Sequence, residues 1–147
     1  MGGVSRYLIV ANRTLGGEHL LDEVRRRMPD SEATFHLVVP ATPPGDHAWT
    51  EGEARTLARQ RLDRAIEALR QLGADVDGEV GDANPLLAID DAMRGQAFDE
   101  IILSTLRPGL SRWLKLDLPD RLKTHVTIPV THIVGEEEPE PEPEPEG

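Results

Sequence analysis

No cysteine occurs among the 147 residues, which excludes disulfides, thiolate metal sites and thiol catalysis. Nor does any apolar run approach the roughly 18 residues of a membrane-spanning helix. The N-terminus lacks the basic-then-apolar layout of a secretory signal, and the cytosol is the expected location. Basic clusters are missing too. The net charge of −11 comes largely from seven glutamates within 136–147, and the remaining chain carries 16 basic against 20 acidic residues. A body of net −4 without a basic patch argues against nucleic acid as a partner.

Catalytic signatures are equally sparse. His19, His36, His47, His125 and His132 show no metal-ligand spacing. Ser104 and Ser111 stand outside any Gly-x-Ser-x-Gly elbow and have no identifiable base. Asp90 and Asp91 lie in a helical stretch where adjacent side chains diverge, and Asp117 and Asp120 are likewise paired only in sequence. The chain is therefore expected to be neither an enzyme nor a metal binder.

What is present is a regular alternation. Apolar runs predict strands over Arg6–Asn12, Thr34–Pro40, Asp75–Val80, Glu100–Ser104 and Pro129–Val134. Charge and Gly78 in the third run place it near a sheet edge. Between the first two, Leu20, Leu21, Val24 and Met28 form a helical stripe, with Glu18 early, Arg25–Arg27 late and Pro29 as a stop. Thr50 and Glu53 form a capping box before a long face of Ala54, Leu57, Ala58, Leu62, Ala65, Ile66, Leu69 and Leu72, closed by Gly73. Asn84 caps a third helix that begins at Pro85, points Leu86, Ile89 and Met93 inward and ends at Gly95. A fourth helix follows the loop Thr105–Asp117 and ends near Thr124. Five strands and four helices in strict alternation imply a doubly wound α/β fold with a parallel sheet.

That length suits one domain, residues 1–135. The following EEEPEPEPEPEG, residues 136–147, is expected to be an extended, disordered, solvating tail.

With these elements placed, the chain resembles the universal stress protein family. Val80-Gly81-Asp82 before Asn84-Pro85 and Ala88-Ile89 carries the match, as do Asp99-Glu100-Ile101-Ile102 and Ile128-Pro129-Val130. Gly109-Leu110-Ser111-Arg112 resembles the family's Gly-Leu-x-Arg, and the likeness spans Tyr7 to Val134. The resemblance implies a five-stranded sheet of order 3-2-1-4-5 with helices on both faces, dimerisation through the last strand and a stress-related role. Many members bind ATP through Gly-x-x-Gly, a nine-residue spacer and then Gly-Ser or Gly-Thr. Those glycines let backbone amides approach the phosphates closely. Here the same positions hold Leu103, Leu106, Leu116 and Asp117. The leucines are expected to fill the phosphate space and the carboxylate to repel its charge. The acidic residue that ends the family's first strand is replaced by Asn12 or Arg13. A member with a degenerate nucleotide site and no ATP or other cofactor is expected.

The crevice between the first and fourth strands is nonetheless created by topology. Asn12, Arg13, Thr14, Ser104, Thr105 and Arg107 are expected to line it, with Trp113 nearby. Two arginines and three hydroxyls could hold an anion. Alternatively, the arginines pair with Asp117 or another acid and the hydroxyls cap helices. Trp49 could meet a partner or staple its loop to the core. The last strand, with Val130, Thr131, His132, Ile133 and Val134, is expected at a sheet edge, where pairing with its copy would cover it. The leading expectation is a dimeric, non-enzymatic regulatory or interaction module with an unidentified protein partner. The alternative is a small-anion or nucleotide sensor acting at the crevice. A nucleotide hydrolase of the wider superfamily lacks the expected glycine-rich loop and metal-binding carboxylates.

Overall fold

Leu8 and Val10 belong to one apolar cluster and Ile9 to another, and all three are fully buried. This is the period-two alternation of a strand covered on both faces. The computed structural model describes residues 5–15, 17–28, 32–42, 50–106 and 111–135, with the side chain of Arg112 excepted. Expectations for Gly16, His47, Trp49, Arg107, the Gly109-Leu110 pair and the tail 136–147 lie outside the described residues.

Five parallel strands form the sheet: β1 (Ser5–Val10), β2 (Ala33–Pro40), β3 (Asp75–Gly81), β4 (Glu100–Leu106) and β5 (Val130–Gly135). Their order is β3-β2-β1-β4-β5, as expected. The helices are α1 (Glu18–Arg27), α2 (Glu51–Gln71), α3 (Pro85–Gly95), α4 (Arg112–Lys115) and α5 (Leu118–His125). One core joins Ile9, Leu37 and Ile102 to Leu20 and Val24 of α1 and Leu62 and Leu69 of α2. The other joins Leu8, Val38 and Leu103 to Ile89 of α3 and Leu122 of α5. The helices thus cover both faces, giving a Rossmann-like α/β fold.

Local signals explain most boundaries. Thr50 and Glu53 form both bonds of the capping box, and Asn84 accepts from the Leu86 amide ahead of a helix that starts on proline. The central Gly78 of β3 has a packing cause: a Cβ there would lie 2.6 Å from Leu62 and 2.8 Å from the Leu37 carbonyl oxygen, so glycine lets α2 sit close. Three expectations need correction. The first strand ends at Val10, so Asn12 lies beyond it, while the Ala11 amide still donates to the Val38 carbonyl at 3.4 Å. The fourth runs two residues past Ser104, to Leu106. The loop expected over Thr105–Asp117 holds the short helix α4, and the expected fourth helix is α5, which follows Asp117, whose backbone is left-handed (φ 59°, ψ 36°), with Pro119 in its first turn.

Candidate functional site at the carboxyl end of the sheet

The chain reverses its winding between β1 and β4, so the crevice opens beyond Val10 and Leu103, which are register partners. The sequence-derived residues gather there, but they form three separate clusters. Ser104 follows Leu103 on β4 and faces α1. Its hydroxyl lies 2.6 Å from Thr14 Oγ1 and 2.9 Å from His19 Nε2. Thr14 is 1% and Ser104 1% exposed. A chain of hydrogen bonds therefore ties the loop after β1 to the end of β4 and the first turn of α1.

Thr105 points the other way. Adjacent strand residues face opposite sides of a sheet, and the Thr105 hydroxyl lies 2.7 Å from His132 Nε2 on β5. Burial, followed by the charge of Lys123, holds His132 below its ordinary pKa, which favours the neutral ring. Thr105 and Ser104 accordingly cannot converge on one ligand atom.

Asn12 forms the third cluster. Its amide nitrogen donates to the Pro40 carbonyl at 2.8 Å, and its side-chain oxygen accepts from Arg61 Nη1 at 2.7 Å. Arg61 is 3% exposed, an arginine set into the apolar stripe of α2 between Ala58 and Leu62. Its stem packs while its head reaches the amide at the crevice floor. Arg13 is half-buried beside Asn12.

The residues expected to replace the phosphate loop are scattered. Leu103 is fully buried in the core beneath α3 and α5, and Leu106 is also buried. Leu116 is 56% exposed and fills no closed space. That corrects the expectation that three leucines would occupy one volume. Trp113 is buried in the same core as Leu103. Asp117 is exposed at the break between α4 and α5.

His19, Arg61 and His132 were not singled out for this site by sequence. Arg61 had a signal, since it interrupts an otherwise small and apolar helical face at positions 54, 58, 62, 65 and 69. His132 had none, since its register opposite Leu103, two residues short of Thr105, emerges only in the assembled sheet. His19 had no comparable signal. It is held by contact: a Cβ on Gly135 would lie 1.8 Å from its ring, so only glycine at the end of β5 admits the imidazole. Among the described residues, no group of three or more His, Cys, Asp and Glu could hold a metal ion. No helix among them is long and apolar enough to cross a membrane.

No protein-family model matches the chain. No curated protein matches it in sequence. Solved structures do match in shape. A protein of the universal stress protein family from Burkholderia pseudomallei superposes with a TM-score of 0.64 at 17% identity, over 88% of this chain and 95% of the other. A universal stress protein from Archaeoglobus fulgidus gives a TM-score of 0.60 at 15% identity, over 88% and 93%. The chain has the fold of these universal stress proteins, with the strand order and two-sided helix cover expected from the resemblance.

Proposed function

We propose that this is a universal-stress-protein-like regulatory or interaction module that is not an enzyme and does not bind ATP. It works in the cytosol as a homodimer paired through β5, in a stress-related role suggested by the family resemblance. The observation that carries the reading is the hydrogen-bonded chain from Thr14 through Ser104 to His19. Hydroxyls that could meet a phosphate are instead bonded to one another, at less than 2% exposure. A nucleotide would have to break buried bonds and then satisfy the same groups itself. Asn12 is committed in the same way to Pro40 and Arg61.

The anion-sensor reading is favoured by one feature, the buried Arg61 and half-buried Arg13 that flank Asn12. A thermal-melt screen against magnesium ATP, AMP, inorganic phosphate and small carboxylates separates the two. A ligand at a hundred times its Kd adds about 2.7 kcal/mol, a shift of several degrees. The module reading expects none. A shift with phosphate or carboxylate that disappears in Arg13→Ala would establish the sensor, and a shift with magnesium ATP would overturn the proposal.

A further inference from the structure

Beside the crevice, a groove of about 360 Å3 opens between the start of α3 and the α4–α5 segment. Leu86, Trp113, Leu116 and Leu118 supply its apolar lining, with Asn84 and Arg121 among its polar groups. Leu116 is more than half exposed there. An exposed leucine in a groove of apolar side chains is surface that a second segment could cover.

We propose that the groove is the docking site of the chain's own acidic segment, residues 136–147. Three observations choose this occupant. The first is position. Gly135, from which the segment leaves, is the register partner of Leu106 at the carboxyl end of β4. The groove opens at that same end, since α3 and the α4–α5 segment both begin where strands β3 and β4 finish. The second is reach. The 12 residues alternate proline with glutamate over most of their length. At ~3.1 Å per residue in the polyproline conformation they span ~37 Å, ample to cross one strand and enter the groove.

The third observation is chemistry. Four prolines suit an apolar groove with one tryptophan, Trp113, in its lining. Seven glutamates need positive charge, which a body of net −4 mostly lacks. Beside the groove, the segment 111–125 is net positive: Arg112, Lys115, Arg121 and Lys123 stand against Asp117 and Asp120. The segment then acts as a strap over α3 and α4–α5, and it covers Leu116.

The test uses the full chain. With no native cysteine, Glu142→Cys gives a single attachment point for a nitroxide spin label. In isotope-labelled protein, amide signals of Leu86, Trp113, Leu116 and Leu118 should lose most of their intensity, while those of α2 keep theirs. Arg121→Glu should restore them, as should about 0.5 M salt, where screening shortens to ~4 Å. Arg121 is exposed, so this variant should keep the fold. Undiminished signals at the groove would overturn the proposal. So would broadening that appears only when spin-labelled chains are mixed with separate isotope-labelled ones, because that places a second copy's segment in the groove. Neither result bears on the crevice, so the strap and the proposed function fail independently.

Discussion

Asp117 adopts a left-handed backbone that costs an L-residue about 1 kcal/mol or more, and Asp is among the types that tolerate it best. Asp117→Gly should therefore stabilise the fold, by about 0.5–1 kcal/mol in chemical denaturation. A loss of stability would show that the carboxylate makes a compensating contact. Asn12 is the opposite case. Truncation to alanine removes the acceptor for one nitrogen of a buried guanidinium and the donor to Pro40, and should cost about 1–3 kcal/mol. His132 adds a pH term. Its pKa lies below the ordinary value of 6.5 in the folded protein, so between those two values the unfolded chain binds more protons. Its contribution is intact above 6.5 and declines as pH falls toward the folded value. Across about pH 7 to 5, His132→Gln should lose less stability than the wild type. Parallel curves would remove burial as the cause.

At the level of elements, α1 is locked to the sheet at the end opposite the crevice. Arg27 bonds Glu100 at 2.9 Å and also Glu23, and lies 5.6 Å above the Tyr7 ring, while Thr131 donates to Glu100. Burial by itself would raise the Glu100 pKa, but the bonds from Arg27 and Thr131 and the charge of Arg27 bring it below the ordinary 4.5. Burial likewise works against the charged form of Arg27, and its bonds to Glu100 and Glu23 outweigh this and raise its pKa. The Glu100 contribution is full above the unfolded carboxylate value and is lost as pH falls through the lower folded one. Glu100→Gln should cost about 1–3 kcal/mol near neutrality, with the gap to wild type closing in acid. A pH-independent gap would make the effect one of packing.

The elements were largely legible in the sequence because their signals are local. Apolar runs, the Thr50–Glu53 box and the Asn84-Pro85 start require only a few neighbouring residues. The short helix α4 inside the expected loop was not legible, since four residues are too few to show a helical period. For the site, strand parity alone would have sent Ser104 and Thr105 to opposite faces. Which side chains they meet could not be read in advance. The Thr14–Ser104 and Asn12–Arg61 bonds join residues far apart in the chain, and only the assembled sheet brings them together.

For the whole molecule, the layout leaves β3 and β5 at the two sheet edges. The residues of β5 are only partly buried, and Val134 is 46% exposed, whereas β4 is buried from Ile101 to Leu106. Pairing β5 with its copy would cover that edge, as the proposed dimer requires. Sedimentation should report a dimer for the wild type and a monomer for Val134→Lys; a wild-type monomer at high concentration would contradict the assignment. The central claim concerns the crevice, and it has a direct test. Amide and side-chain signals of Thr14, His19 and Ser104 can be followed by NMR as magnesium ATP is added in large excess. The account predicts no saturable shift at these residues, because their polar groups are bonded to one another. Saturable shifts centred on Thr14 and Ser104 would show that the crevice opens to nucleotide and would contradict it.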